Sequence, residues 1–231
     1  GAMVDASLAL TGLLLTFGLG VELTLCARRS GRRAMTRAWR LIHAGQLEEG
    51  QRLLRPFLDS PQPQQREPAR IALLAAARIS GETLAVQRLL GRIDREVLSG
   101  ENRRILAEEE VRAYLVLGQP ARAVAAAAEL LRQPGTTEEQ QRALELSAYA
   151  LLWDGRYTAA RAALTRLLEG GGRPAQHRAW VLYQLGQLCR KERREGEALR
   201  YLEQAAALAG DTPVGRYARE ALRLGSIPQR L

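Results

Sequence analysis

Side chains that could perform catalysis are few in this sequence of 231 residues. It contains two histidines, His43 and His177, and two cysteines, Cys26 and Cys189, all far apart along the chain. No other metal-ligating side chain lies three or four residues from His43, the spacing that places two ligands on one helix face. The sequence also lacks HExxH, paired CxxC, GxxxxGK and GxSxG motifs. We therefore predict no catalytic residue, no metal, no cofactor and no disulfide framework, which argues against an enzyme.

The densest acidic run is Glu108, Glu109 and Glu110. Two carboxylates that face each other can act as a general acid and a general base. Successive residues of a helix point in three directions, however, so at most one of these glutamates can face a given groove. We interpret the run as a solvated helix face.

The formal net charge is +9, and only Lys191 among the 34 basic residues is a lysine, a bias that favours a GC-rich bacterial source. Clustered cations favour nucleic-acid binding because they release counterions from phosphates. Here the cluster is local. Residues 28–40 hold six arginines and no acid, residues 1–27 hold two acids, and residues 41–231 therefore carry only +5. We do not expect nucleic acid as the partner.

The arginine cluster directly follows an apolar run. From Ala6 to Ala27 the only charge is Glu22, and a helix of that length reaches about 33 Å, against about 30 Å for a hydrocarbon core. Positive residues beside a first membrane segment tend to stay in the cytoplasm. We predict a transmembrane anchor at residues 4–27 of a single-pass bacterial inner-membrane protein, with the N-terminus outside. A basic juxtamembrane segment at residues 28–33 would contact anionic lipid head groups through Arg28, Arg29, Arg32 and Arg33.

Small side chains recur every four residues in the apolar run, at Gly12, Thr16, Gly20 and Thr24. A stripe of this kind allows another helix to approach closely. Glu22 lies near the arginine end, where a carboxylate is costly in lipid unless it has a partner. We predict that these five residues form a helix contact. A lone helix in lipid, or a helix buried in a soluble fold, are the alternatives.

After residue 33 the apolar residues follow helical spacing, and one phrase recurs. A glycine is followed by a larger residue two positions later and by a small or apolar residue three positions further on. The glycines are 36, 37 and 37 residues apart, and Arg193 takes the equivalent place in a fifth unit that keeps Leu185, Gly186 and Ala198. The four glycines are Gly45, Gly81, Gly118 and Gly155.

This phrase resembles the tetratricopeptide repeat, a helix–turn–helix unit of about 34 residues with a turn glycine, an aromatic residue and a small residue. Gly155, Tyr157 and Ala160 match all three positions, and the other units match in part. The resemblance implies an all-α, right-handed solenoid of about five helix pairs at residues 34–231, in which stacked neighbours bury each other's apolar faces. Residues 213–225 would form a capping helix with Val214, Tyr217, Ala218, Ala221 and Leu224 on its apolar face.

In tetratricopeptide arrays the first helix of each pair lines a concave surface. Aligned on the turn glycine, the positions that face this surface include all three tryptophans of the chain, as well as Ile42 and Ile71. Tryptophan and arginine supply much of the binding energy of protein interfaces. Packing of the aromatic residues between repeats is the alternative. The predicted partner-binding groove consists of Trp39, His43, Arg78, Arg112, Tyr149, Trp153, Trp180, Tyr183, Gln187, Arg190 and Lys191.

The expected function is a membrane-anchored scaffold or adaptor whose cytoplasmic groove docks another protein, a subunit of a membrane complex. The resemblance implies a setting in exopolysaccharide or other envelope biogenesis or secretion, where anchored repeat proteins often serve. Aromatic residues of the groove would bury the apolar side of a peptide, and its arginines would pair with carboxylates. The alternative is a soluble adaptor or regulator that binds nucleic acid or anionic lipid through arginine-rich surfaces, with the apolar helix packed on the array.

Overall fold

The structure is a computed structural model that describes residues 31–171 and 174–225. Within those ranges the chain forms eleven α-helices and no strand, so the predicted all-α class is confirmed. Ten helices pair in sequence order into five hairpins, and one helix follows them. The helices are α1 (31–43), α2 (Leu47–Leu58), α3 (Pro63–Ile79), α4 (Thr83–Arg92), α5 (Gly100–Val116), α6 (Pro120–Arg132), α7 (Thr137–Trp153), α8 (Tyr157–Glu169), α9 (Ala175–Lys191), α10 (Glu195–Ala209) and α11 (Pro213–Gly225).

The turn inside each hairpin is built in the same way. Two residues after the last residue of the first helix lies a residue with a left-handed backbone, φ between 60° and 81°. Its N–H donates to the carbonyl three positions earlier. The next N–H donates to the carbonyl five positions earlier. This pair of hydrogen bonds is the Schellman motif, which ends a helix and favours glycine because glycine has no Cβ. The five turn residues are Gly45, Gly81, Gly118, Gly155 and Arg193, the positions that the sequence period predicts.

In two of the hairpins, the two helices cross at a glycine. A Cβ added to Gly50 of α2 would lie 2.7 Å from Cγ1 of Ile42 and 3.2 Å from the carbonyl oxygen of Ala38, both in α1. In the fifth hairpin the glycine lies in the first helix instead, where Gly186 of α9 leaves no room for a Cβ beside Leu202 of α10. The helices at these crossings are therefore as close as a missing side chain permits.

The chain divides between Arg103 and Arg104 into two compact units, with the division inside α5. In each unit a hydrophobic cluster joins one hairpin to the first helix of the next. Unit 1 has such a cluster on α1, α2 and α3. Unit 2 has one on α5, α6 and α7, one on α7, α8 and α9, and one on α9, α10 and α11. Because these clusters span neighbouring hairpins, the hairpins within each unit depend on one another for stability.

A buried carboxylate in α3 ties the loop after α4 to the body of unit 1. Glu67 is fully buried and accepts hydrogen bonds from Nε of Arg66 at 3.0 Å and Nη1 of Arg70 at 2.9 Å. Its second oxygen accepts the backbone N–H of Asp94 at 3.1 Å. Both oxygens are thus satisfied, which is the condition under which a charged group is tolerated in a core.

A buried arginine in α5 attaches the loop after α6 to the body of unit 2. Arg104 precedes Gly118 by the same 14 residues that separate Glu67 from Gly81. Its guanidinium donates to the carbonyl of Pro134 in the loop after α6, at 3.4 Å, and lies 3.7 Å from the carboxylate of Glu139. One repeat position therefore carries a buried negative charge in α3 and a buried positive charge in α5.

The acidic run of α5 differs from its prediction. Glu109 is 2% exposed and accepts a hydrogen bond of 2.7 Å from Arg112, whose guanidinium lies 3.4 Å from Glu108. One of the three glutamates faces inward, and the arginine one turn later compensates its burial. The prediction of a solvated face was therefore wrong for Glu109.

The predicted anchor at residues 4–27 lies outside the described residues, and so do Gly12, Thr16, Gly20, Glu22, Thr24, Arg28 and Arg29. None of the described helices has the length and apolarity that a bilayer crossing requires. Arg32 and Arg33 are described, and both are exposed on α1. The first hairpin thus includes part of the segment that was predicted to be juxtamembrane.

Candidate functional site

Five aromatic side chains lie on α7, α9 and α11 of unit 2, and four of them form two ring pairs. Tyr149 of α7 lies 5.8 Å from Trp180 of α9, and Tyr183 of α9 lies 6.4 Å from Tyr217 of α11, measured between ring centroids. Trp153 follows Tyr149 by four residues and Tyr183 follows Trp180 by three, spacings that place side chains on one helix face. We call Tyr149, Trp153, Trp180, Tyr183 and Tyr217 the aromatic surface.

A capping box fixes the start of α7, which carries two members of the aromatic surface. The backbone N–H of Thr136 donates to the carboxylate of Glu139 at 2.7 Å, and the N–H of Glu139 donates to the Thr136 hydroxyl at 3.3 Å. The hydrogen bonds from the Thr136 backbone and then its side chain lower the pKa of Glu139, with further contributions from Arg104 and Arg142. The register of α7 is therefore set from a defined first residue.

Some side chains of the aromatic surface pack on the core, and others are exposed to solvent. Trp180 packs on the cluster of α7, α8 and α9, and Tyr183 packs on the cluster of α9, α10 and α11. In contrast, Trp153 is 61% exposed and Tyr217 is 56% exposed. Packing between repeats therefore accounts for Trp180 and Tyr183, and it leaves the exposed indole of Trp153 unexplained.

Tyr217 was not among the predicted groove residues. The spacing of α11 placed it on the apolar face with Ala218 and Ala221, and both alanines are buried as expected. Tyr217 itself is mostly in solvent beside Tyr183, so its assignment to the buried face was wrong. Tyr217 and Ala218 are adjacent, and adjacent helical residues point about 100° apart. They could therefore not both face the core directly, which was the signal available in the sequence.

The predicted groove arginines of unit 2 already have partners within the chain. Arg112 pairs with Glu108 and Glu109. Arg190 donates through Nη2 to the carbonyl of Ala221 in α11, and its Nε is buried without a partner among the described residues. Arg112 is therefore paired within α5 and Arg190 joins α9 to α11, so neither guanidinium is free to bind the carboxylates of a peptide.

The remaining predicted residues of α9 lie at its C-terminal end. Lys191 is exposed, and its ammonium lies 5.3 Å from the ring centroid of Tyr157, a cation–π arrangement. Gln187 is half-buried and follows Tyr183 by four residues, so it shares the face of the aromatic surface. Gln187 therefore adds a polar side chain to this face of α9.

Trp39, His43 and Arg78 lie in unit 1. The rings of Trp39 and His43 are stacked, with centroids 5.3 Å apart and planes inclined by 13°, and Trp39 also packs on the core of α1, α2 and α3. Arg78 is half-buried on α3. Ile42 and Ile71, which the repeat alignment also placed on the concave surface, are fully buried, so the alignment was wrong at these two positions.

No protein-family model matches the chain, and no curated protein matches it either. Over residues 31–171 and 174–225, no group of three histidine, cysteine, aspartate or glutamate side chains is placed to hold a metal ion. The chemistry that unit 2 does present is that of a partly exposed aromatic surface on three neighbouring helices.

Proposed function

We propose that this protein is a tetratricopeptide-type scaffold that binds another protein through its aromatic surface. The identical turns of five hairpins, repeated at intervals of 36 to 38 residues, support the family assignment. The clusters that join the first, third, fourth and fifth hairpins to the helix that follows each of them support a solenoid. Its right-handed twist and the role of α11 as its terminal cap are what the family resemblance implies.

The exposed indole of Trp153 carries the proposal. Its neighbours on the aromatic surface are held in place, Tyr149 by ring contact with Trp180 and Trp180 by the core. A partner that covers Trp153 therefore gains aromatic contact area on a surface that is already ordered, and little conformational entropy is lost. Tryptophan residues in such positions are frequent energetic anchors of interfaces.

The occupant that suits this surface is an amphipathic helix or an extended segment with apolar side chains, supplied by a subunit of a membrane complex. The arginines expected to pair with acidic residues of the partner are braced inside the chain, so aromatic burial is the principal source of affinity. This differs from the sequence-based expectation, which shared the binding energy between aromatics and arginine–carboxylate pairs.

The scaffold is proposed to act at the cytoplasmic face of a bacterial inner membrane, held by the apolar segment at residues 4–27. The apolar length of that segment and the arginines that follow it support this placement. Envelope biogenesis or secretion, including exopolysaccharide synthesis, is the setting suggested by resemblance to other anchored repeat proteins.

Site-specific photo-crosslinking of the full chain in native membranes tests the docking surface. A benzophenone amino acid would replace Trp153 or Tyr217 in turn, with Arg166 on the exposed face of α8 as the matched control. We expect one partner to be crosslinked from Trp153 and Tyr217 and not from Arg166. Equal crosslinking from all three positions, or none from Trp153 and Tyr217, would contradict the proposal.

A further inference from the structure

The first hairpin brings the end of α2 beside the start of α1. A Cβ added to Gly31 would lie 3.4 Å from the ring of Phe57, and one added to Gly50 would meet Ile42. The two helices are thus antiparallel, with Phe57 near the residue at which the described chain begins. That end of the hairpin is the one nearest in sequence to the apolar run that closes at Ala27.

Positive charge is concentrated at this end. Arg32 and Arg33 of α1 are exposed, and so are Arg55 in the second half of α2 and Arg52 one turn before it. None of these four forms an ion pair with another described residue. The acids of the same end are the exposed Asp59 after α2, Glu67 near the start of α3, which pairs with Arg66 and Arg70, and residues after α4 that include Asp94. The acids at the start of α2, Glu48 and Glu49, lie toward the opposite end, where Glu49 pairs with Arg37 at 3.3 Å. We call Arg32, Arg33, Arg52 and Arg55 the basic end.

We propose that the basic end binds the head groups of anionic phospholipids and so holds unit 1 against the membrane surface. The inference rests on the proposed anchor. The four residues from Ala27 to Gly31 reach at most about 14 Å, so a membrane-inserted run would keep the basic end close to the head groups. Guanidinium groups bind phosphate oxygens through paired hydrogen bonds, which suits a phosphodiester.

The arginines of α2 could not be assigned to the basic end from the sequence alone, because they are far from the apolar run along the chain. Arg52 and Arg55 follow the apolar run by 25 residues or more. Only the antiparallel packing of α2 on α1 brings Arg55, and Arg52 one turn behind it, toward the end of the hairpin that carries Arg32 and Arg33. The opposite face of α1 is fixed, because Ala38 and Ile42 are fully buried. The hairpin therefore cannot turn its arginines away without leaving its core, and lipid binding would orient unit 1.

Native mass spectrometry of the full chain in a mild detergent tests the proposal. The protein would be titrated with phosphatidylglycerol or with phosphatidylcholine, and the lipid-bound fraction measured. Substituting Arg52→Gln and Arg55→Gln together should weaken phosphatidylglycerol binding by at least fivefold, since one basic residue near an anionic surface is worth about that factor. The matched control, Arg166→Gln with Arg200→Gln, also removes two exposed arginines and should stay within about twofold of the wild type.

Three results would overturn the proposal. These are equal phosphatidylglycerol binding by the α2 variant and the wild type, equal binding of phosphatidylcholine and phosphatidylglycerol, and displacement of the lipid by inorganic phosphate as readily as by more lipid. Circular dichroism would establish that the exposed substitutions leave the helices intact. Loss of the scaffold function would appear separately as loss of crosslinking at Trp153, and loss of the anchor as extraction from membranes by alkaline carbonate.

Discussion

Gly186 of α9 and Leu202 of α10 are so close that a Cβ on the glycine would lie 2.7 Å from Cγ of the leucine and 2.9 Å from its Cδ2. Leu202 is fully buried, so its side chain has no solvent into which it could move. The spacing of α9, which carries Trp180 and Tyr183, from its hairpin partner therefore depends on the absence of one methyl group.

Gly186→Ala should lower the free energy of unfolding by about 1–3 kcal/mol, as is typical of overpacked cores. Urea denaturation followed by circular dichroism measures this change. Gly196→Ala is the control, because an added Cβ there meets nothing within 4 Å and alanine favours helix, so stability should stay equal or rise slightly. Equal effects of the two substitutions would argue against the close crossing.

Arg193→Gly should stabilise the protein by about 1 kcal/mol. Arg193 has φ of 60° and is the one non-glycine residue of the described ranges with positive φ. A left-handed backbone costs a residue with a Cβ about 1–2 kcal/mol, and the greater freedom of glycine in the unfolded chain offsets part of this.

Gly155→Ala makes the reverse change in the fourth hairpin and should destabilise by a similar amount. An added Cβ at Gly155 has no neighbour within 4 Å, so the loss reports backbone strain alone. Thermal unfolding of both variants provides the comparison. A less stable Arg193→Gly variant would show that the arginine side chain contributes more than its backbone costs.

Glu67→Ala should destabilise by about 3–5 kcal/mol, because removal of one partner leaves Arg66 and Arg70 beside an empty buried site. Glu203→Ala on the exposed face of α10 should change stability by less than about 0.5 kcal/mol. The amide of Asp94, which donates to Glu67, should exchange its hydrogen faster in the Glu67 variant. Unchanged exchange at Asp94 would contradict its attachment to Glu67.

Glu139 should make stability depend on pH in the acid range. Its pKa in the folded protein lies below the ordinary value of 4.5, because the Thr136 backbone and hydroxyl, and then Arg104 and Arg142, favour the carboxylate. The unfolded chain therefore binds the proton more readily, so the stabilisation is complete above the unfolded pKa and is lost as pH falls through the folded one.

The variant that isolates this charge is Glu139→Gln, which can keep the capping hydrogen bonds. The difference in melting temperature between wild type and variant should be largest near about pH 6 and should shrink toward about pH 3. A difference that stays constant across this range would show that the charge of Glu139 makes no contribution.

Trp153→Ala should weaken partner binding by more than about tenfold while leaving the unfolding transition almost unchanged, because the side chain is mostly exposed. Trp180→Ala should reduce both binding and stability, since Trp180 also packs on a core cluster. Leu84→Ala, at a residue of α4 that is 73% exposed, is the control for loss of exposed apolar area. Wild-type affinity of the folded Trp153 variant would exclude the aromatic surface as the binding site.

The helical hairpins were predictable because their turns depend on local chemistry. A left-handed residue at the helix end favours glycine, so Gly45, Gly81, Gly118 and Gly155 marked four turns, and the period alone located the fifth at Arg193. The tertiary consequences of single residues were harder to predict. Whether Glu109 faces solvent or core depends on the partner offered by Arg112, which periodicity does not specify.

Projection of a repeat register onto the sequence predicted the candidate site in part. It located Tyr149, Trp180 and Tyr183, and it failed for Ile42 and Ile71, which the core of unit 1 buries. It also missed Tyr217, because α11 follows the last hairpin and has no turn glycine on which to align. The membrane prediction depends on residues outside the described ranges and stays a prediction.

The opposite buried charges of Glu67 and Arg104 make the second and third hairpins chemically distinct at the same repeat position. Glu67 captures a backbone N–H after α4, whereas Arg104 captures the carbonyl of Pro134, a residue that has no N–H to offer. A chimera that moved the α3 sequence into the place of α5 would set a carboxylate against a carbonyl oxygen. Protein engineers who shuffle, duplicate or average these repeats into a consensus should therefore find that the second and third hairpins are not exchangeable.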